Sequence, residues 1–432
     1  MIVILGAGLA GLSAGYHLGK REHVLVEREE RVGGLCRSVE VDGFTFDLTG
    51  HLLHLRDEKI RALVDRLLPA ESWHTLERRS WIYSHGVYTP YPFQANTHGL
   101  PAEVVRDCLV GFVHALLDAD AGEDLSGVSF KEWIRRTFGE GIARHFMEPF
   151  NEKLWRSDLT DMTCEWVSWS IPRPRLEDVV NGALGLATPA LGYNAHFRYP
   201  RRGGIQMLPD ALAPHAGTIR TGTEVTRVDT RRRVVHLADG SALGYEAVIS
   251  TLPLDRLLQI TEGLPEAVRD SAGVLRAVSV INLNLGIERP NLSDRHWIYF
   301  PEKEYPFYRV GFPACFAPAS VPEGCSSVYV EISASPGGMV EERDVYAAAV
   351  GGLQRAGILR PDDKIVARRM FVIHPAYVVY DRYRRVALPA IFRALEEERI
   401  FSIGRFGGWE YSSMEDALRH GMQAVERLGD VR

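Results

Sequence analysis

The chain has 432 residues, of which 46% are apolar and 25% charged, with a formal net charge of −6. That length calls for two or three domains, and the charge balance leaves no basic arm for nucleic acid. No apolar run reaches membrane-spanning length. The cysteines (Cys36, Cys108, Cys164, Cys315 and Cys325) have no metal-ligand spacing, so no metal site is expected. With no signal-peptide pattern around Ile2, they fit a reducing cytoplasm.

In chain order, an apolar strand at 2–5 runs into Gly6-Ala7-Gly8-Leu9-Ala10-Gly11, followed by a helix and a second strand at 23–26 that ends in Glu27. Gly6 permits a tight turn, Gly8 lets the backbone approach a pyrophosphate, and Gly11 lets the helix pack close to the sheet. The helix start offers free N–H groups to phosphates, and Glu27 suits an adenosine ribose. Arg31-Val32-Gly33-Gly34-Leu35-Cys36-Arg37 comes next. Its glycines suit a loop passing close to a cofactor, and Arg37 suits the phosphates. This element resembles the second fingerprint of FAD proteins, so FAD rather than NAD is the expected cofactor.

Beyond it, residues 57–68 read as an amphipathic helix and 73–93 as strands ending in Pro90-Tyr91-Pro92-Phe93. Helical spacing returns over 101–117 and 129–156. Val104, Val105, Cys108, Leu109, Phe112, Val113 and Leu116 form one face of the first of these. Residues 196–205 are turn-rich, and a helix is expected at 207–214. Strands are expected at 219–228, 233–237 and 247–250. Residues 272–335 and 364–383 read as strand-like, with a helix over 344–355 between them. The chain closes with a strand at 400–403, a glycine turn and a helix over 414–428. The fold expected is α/β. A GxGxxG FAD-binding domain of glutathione-reductase type is assembled from 1–56, 196–262 and 398–432. A helical insert takes 57–72 and 97–195. A mainly antiparallel-sheet substrate domain takes 73–96 and 263–397.

No Ser/His/Asp order or carboxylate pair stands out, so the cofactor is expected to carry the reaction. The short motifs are instead rich in Arg, Tyr, Trp, Asn and Gln, residue types that suit a nucleotide diphosphate. In these motifs the chain resembles the UDP-galactopyranose mutase family, eukaryotic type, within the amine-oxidase-like flavoproteins. The motifs are Phe46-Asp47-Leu48-Thr49-Gly50-His51, Arg78-Arg79-Ser80-Trp81, Tyr91-Pro92-Phe93-Gln94, Pro149-Phe150-Asn151-Glu152-Lys153-Leu154-Trp155 and Tyr193-Asn194. They continue with Gly203-Gly204, Tyr299, Phe307-Tyr308-Arg309-Val310, Tyr377 and Gly404-Arg405-Phe406-Gly407-Gly408-Trp409-Glu410-Tyr411.

The resemblance implies site roles. Gly50 and His51 would lie against the flavin ring, with Gly204, Gly404, Arg405 and Met414 also around the cofactor. Arg78, Ser80, Tyr91, Phe93 and Gln94 would hold the uridine. Asn151, Trp155 and Asn194 would border the nucleotide and sugar. Arg309, Tyr299, Tyr377 and Tyr411 would hold the diphosphate. The activity implied is interconversion of the pyranose and furanose forms of a UDP-sugar, first of all UDP-galactose. It would proceed through an adduct between the sugar and N5 of reduced FAD, so NAD(P)H or a reductase is an implied partner. Two positions depart from the family pattern. Ser170 stands in place of an arginine, for which Arg173 is the candidate substitute, and Glu415 stands in place of an amide at the sugar end. The alternative is an FAD oxidoreductase of the amine-oxidase or protoporphyrinogen-oxidase type, since one fold hosts both chemistries.

Overall fold

Ile2–Leu5 is apolar at every position and buried along its whole length, as a strand covered on both faces requires. It is the central strand of a five-stranded parallel sheet ordered Ile400–Ser402, Ala247–Ser250, Ile2–Leu5, His23–Val26, Thr218–Arg220. The computed structural model describes residues 1–119, 124–167, 171–186, 195–338 and 340–430. Helix Leu9–Leu18 comes directly after the first strand and packs against the C-terminal helix Met414–Asp430. Gly11 sets this geometry, because a Cβ there would stand 2.0 Å from the carbonyl oxygen of Gly6.

The second large sheet has seven strands ordered Ile365–Val378, Ala277–Ile287, Ser326–Ala334, Arg309–Gly311, Trp297–Tyr299, Ser80–Ser84, Val87–Pro90, all neighbours antiparallel except Trp297–Tyr299 with Ser80–Ser84. Its register lines up the polar residues of the central strands. Tyr299 pairs with Arg309, Arg309 with Glu331, and Glu331 with Asn282, so four polar side chains form one row across four strands. Directly paired residues put their side chains on the same face. The strand Trp73–Glu77 does not enter this sheet. It pairs with His196–Pro200, which is a strand where the sequence reads as turn.

The helical region contains Ala102–Asp118, Phe130–Ile142, a wide π-type turn Ala143–Met147, Glu148–Trp155 and Leu176–Leu184. Helix Ala102–Asp118 buries Val104, Cys108 and Phe112, whereas Val113 and Leu116 are exposed, contrary to the single apolar face expected. Backbone contact explains this. Gly111, Gly139 and Gly141 let this helix and Phe130–Ile142 touch main chain to main chain, and the last turn projects beyond that contact. Two further differences matter. The stretch expected as one strand at 219–228 is divided between two sheets, Thr218–Arg220 and Val225–Asp229, with Gly222 at φ +64° between them. The strand-like reading of 364–383 ends at Val378, and Arg382–Glu397 is a helix capped by the Asp381 carboxylate.

Gly11→Ala is expected to push the helix start away from the first strand. The protein should lose bound flavin and roughly 1–3 kcal/mol of stability, the usual cost of overpacking. Flavin absorbance and thermal melting of the purified variant measure both.

Candidate functional site

The first glycine loop and the second face each other. Gly33 N–H donates to the Ala7 carbonyl at 2.8 Å. A Cβ on Gly34 would lie 3.2 Å from the Gly8 Cα, and Gly33 and Gly34 both hold positive φ. Behind them the Glu27 carboxylate is buried and accepts from Ala7 N at 2.8 Å and Glu29 N at 3.0 Å. Arg37 braces the second loop, donating to Gly34 O at 2.8 Å and to Glu29 at 3.0 Å. Gly6 leads this cradle with φ +96°. Gly204, at φ +66°, abuts the Ser38–Asp47 hydrogen bond, and Gly404, at φ +78°, faces Ala10. Met414 begins the C-terminal helix, behind a Ser413–Asp416 capping pair. Two opposed glycine turns with a buried carboxylate beneath them fit a dinucleotide whose pyrophosphate lies against bare backbone.

Beside this cradle is a cleft of about 870 Å³, its open mouth included. Tyr91, Gln94, Asn151, Trp155, Tyr299, Tyr308, Arg309, Tyr377 and Tyr411 line it. Apolar contacts come from Phe146, Met147, Phe150, Leu154, Trp166 and Ile171. Helix Glu148–Trp155 supplies one wall and continues directly from the wide turn Ala143–Met147, with Pro149 at their junction. Asn151 Nδ2 donates to Met147 O at 2.8 Å, and Asn151 Oδ1 accepts from Trp155 Nε1 at 3.2 Å, so the amide fixes the indole. Burial raises the hydroxyls of Tyr91, Tyr299 and Tyr377, the last pushed up to about 12. All three are therefore neutral donors at physiological pH.

Tyr377 and Tyr411 stack 5.9 Å apart, with the Arg405 guanidinium over both rings. Arg405 donates to Ala376 O at 3.1 Å and Ser412 O at 2.6 Å, tying the long strand to the loop that carries Tyr411. Tyr411 N donates to Tyr380 Oη at 2.7 Å.

Between cradle and cleft sits a residue that no sequence motif marks. Glu331 is fully buried. Its Oε1 accepts from Thr49 Oγ1 at 2.7 Å, Arg309 Nη2 at 2.6 Å and, more weakly, Gly50 N at 3.4 Å. Its Oε2 accepts from Tyr308 Oη at 2.7 Å. Burial opposes the charge on this carboxyl, but the adjacent Arg309 and these donors hold it below the usual range, so it is ionised. The available signal is the strand alternation, which puts Tyr329, Glu331 and Ser333 on one face, a lone acid among residues that are otherwise core.

The remaining predicted residues fall around this centre. Gly50 packs on the Tyr329 ring, where a Cβ would come within 2.3 Å of the hydroxyl. His51 Nδ1 is 3.2 Å from Thr49 O. Arg78 lies over the Tyr91 ring at 4.5 Å, at the margin of the cleft. Phe93 stacks behind the wall on Phe146, 4.9 Å away. Ser80 is buried within its strand and is not among the lining residues. Gln94 reaches the cleft while donating to Pro172 O at 2.7 Å. Asn194 and Ser170 lie outside the described residues.

Neither Arg173 nor Glu415 is among the lining residues of the cleft. Arg173 lies over the Trp133 ring at 5.1 Å, while Ile171 lines the cleft. Glu415 is buried and turns away to bond Arg56 N, Asp57 N at 2.7 Å and Arg56 Nε at 3.2 Å, anchoring the segment before helix Glu58–Leu67. Among the described residues no helix is long and apolar enough to cross a membrane, and no group of side chains could hold a metal ion.

Known proteins share this fold. The profile of the flavin containing amine oxidoreductases matches residues 9–429. The fold superposes on the crystal structure of reduced UDP-galactopyranose mutase with a TM-score of 0.93 and 30% identity, covering 100% of this chain and 94% of that one. A phytoene desaturase of Rhodobacter capsulatus is 24% identical over 278 residues, which is 57% of this chain and 51% of that protein. Coproporphyrinogen III oxidase of Bacillus subtilis is 22% identical over 326 residues, 68% of each. The chain spans about half the length of the first curated relatives it matches. The cofactor of this family is FAD, and the glycine cradle fits it.

The His51 imidazole is pushed down to about 4 by burial and by the nearby Arg405 and Arg309 charges. It is neutral in the folded protein above pH 5, whereas the unfolded chain takes up this proton near the ordinary value of 6.5. Between those values the unfolded state binds more protons, so stability falls as pH falls. His51→Gln should remove that loss, so the variant gains on the wild type by roughly 3 kcal/mol on going from pH 7 to pH 4. Urea unfolding across this range checks it, and parallel stability curves would contradict it.

Proposed function

The chain belongs to the flavin-containing amine oxidoreductase family and, within it, to the UDP-galactopyranose-mutase-like branch. On that premise we propose that it interconverts the pyranose and furanose forms of a UDP-sugar, with UDP-galactose the first candidate. One observation carries the reading. The polar lining of the cleft consists of phenols, amides and an arginine, with no carboxylate, thiol or aliphatic hydroxyl among the described lining residues. Such a surface binds an anion, and burial holds the hydroxyls of Tyr91, Tyr299, Tyr308 and Tyr377 protonated, which suits them to donate rather than to attack.

The glycine loops at Gly6–Gly11 and Gly33–Gly34, with Glu27 beneath them, would hold FAD, which in its reduced form would supply the nucleophile for the anomeric carbon. The chain holds and orients. Arg309, Tyr299, Tyr377 and Tyr411 take the diphosphate, donating to charge that grows as the sugar–phosphate bond breaks. Asn151 fixes Trp155 against the ligand, and Tyr91, Gln94 and Arg78 position the uridine. Holding the departed UDP in place keeps it near enough for the return step. The neutral His51 and the protonated phenols leave Arg309 as the cation among the lining residues. The curated relatives named above are a desaturase and an oxidase, which favours net redox chemistry as the second reading. An amine substrate would meet no carboxylate among the described lining residues, since Glu331 behind them is already paired with Arg309.

Dithionite-reduced protein, incubated anaerobically with UDP-galactofuranose and a panel of UDP-sugars, should give the pyranose isomer, and only while the flavin stays reduced. Stoichiometric oxidation of a substrate with no isomer formed would assign the oxidase class instead. Tyr377→Phe and Tyr411→Phe should each weaken UDP binding by about tenfold, the worth of a hydrogen bond to a charged group, with FAD content unchanged. Titration of UDP into the variants reads this directly.

A further inference from the structure

We propose that Lys153 is a positioning residue that sets Tyr299 and Arg309 in the cleft, by clamping the connection between their strands to the helix that carries Asn151 and Trp155. The inference rests on the UDP-sugar reading only for the identity of the ligand. Strands Trp297–Tyr299 and Arg309–Gly311 have only 3 residues each, and residues 300–308 connect them. So short a ladder fixes the ends of a long connection poorly unless something else anchors it. Lys153 Nζ is that anchor, donating to the carbonyls of Phe300 at 2.8 Å, Glu302 at 2.5 Å and Phe307 at 3.2 Å. Phe300 directly follows Tyr299, and Phe307 and Tyr308 directly precede Arg309. Asn151, Leu154 and Trp155 line the cleft beside Lys153, as do Tyr299, Tyr308 and Arg309, so one ammonium ties two walls together. The helix end is itself held, because Ser333 Oγ donates to Leu154 O at 2.8 Å from the strand that pairs with Arg309–Gly311.

An ammonium has three N–H donors and no lone pair, which matches three carbonyls. A neutral amine keeps two donors and turns a lone pair toward the third oxygen. The clamp therefore holds in the charged state and weakens in the neutral one. Burial lowers Lys153 to about 8, against the pull of Glu302 and Glu304 on the connection it holds. Other charged groups around it are Glu152, paired with Lys303 at 3.8 Å, and Arg355, which donates to Glu304 O. His85 N donates to Glu302 Oε1, with His145 against the His85 ring, and Tyr83 packs on Phe300. Burial raises the phenols of Tyr305 and Tyr308, and Glu331, on the strand that meets the helix end, is ionised. Diphosphate binding that uses the clamped geometry must in turn favour the charged lysine, because such linkage is reciprocal. UDP affinity is then full below pH 8 and falls as pH rises through that value.

The test titrates UDP and uridine into FAD-loaded wild type, Lys153→Met and Lys153→Arg between about pH 7 and about pH 9.5, with the flavin kept in one redox state. Hydrogen exchange over residues 297–311 is followed in parallel. Methionine keeps the apolar stem without the charge, and the planar arginine head keeps the charge but cannot point one atom at three carbonyls. Lys153→Met should bind UDP about tenfold more weakly at pH 7, with uridine affinity and FAD content nearly unchanged. Wild-type UDP affinity should fall about tenfold between about pH 8 and about pH 9, whereas both variants stay level. A level wild-type profile overturns the proposal even where neither variant folds. A parallel fall in wild type and variants, or equal losses for UDP and uridine, overturns it as well, while leaving the proposed function standing. Failure of the wild type to bind UDP overturns the nucleotide reading instead. Exchange then decides the Lys153 role: protection over 297–311 should drop in Lys153→Met at pH 7 and in the wild type above pH 8. Unchanged protection in either would refute the clamp.

Discussion

A carboxylate removed from water is stable only where cations and donors surround it, and the site is arranged around one. Glu331 draws the Thr49–Gly50 segment from the cofactor side, and Arg309 and Tyr308 from the cleft side. Removing one partner of such a pair typically costs about 3–5 kcal/mol. The register of four neighbouring strands delivers the row Tyr299, Arg309, Glu331, Asn282 without help from loops. The cleft side of this carboxylate is thus set by secondary structure, which holds geometry better than loops do, while the cofactor side reaches it through the loop carrying Thr49 and Gly50.

The rest of the cleft is built to keep polar groups fixed within apolar surroundings. Phe146 and Phe150, which line the cleft, continue a parallel stack from Phe93 behind them, with rings 4.9 and 5.3 Å apart. Phe150 meets Tyr299 edge to face at 5.5 Å. Trp155 and Trp166 pack 5.0 Å apart, and Trp155 meets Tyr377 edge to face at 5.7 Å. Each tyrosine hydroxyl is therefore aimed by contacts along its ring, and a ligand meets donors that need little reorganisation.

Residues whose role is local are legible in the sequence. The glycine loops announce themselves by spacing because backbone approach has one solution, and Glu27 stands at the end of its strand. Asn151 and Trp155, four residues apart, share a helix face, as their spacing requires. Residues whose role depends on strand register are not legible. Glu331 looks like one more acid in a β-rich stretch until the pairing with Arg309 is known. Trp166 gains its place only from tertiary packing against Trp155 and Tyr411. The same limit misplaces Glu415 and Arg173. Motif position suggests the cleft for both, but backbone donors at Arg56 and Asp57 claim one and the Trp133 ring claims the other. The helix Arg382–Glu397 is hidden because the strand pattern before it runs up to Asp381, whose carboxylate caps the helix instead of ending a strand.

On the proposed function the cleft discriminates its ligands by their phosphates. Calorimetric titration of the FAD-loaded protein with UDP, UMP and uridine tests this most directly. UDP should bind at least tenfold more tightly than UMP, and UMP more tightly than uridine, with the preference for UDP falling as ionic strength rises. Equal affinities for the three, or no binding of any, would contradict it.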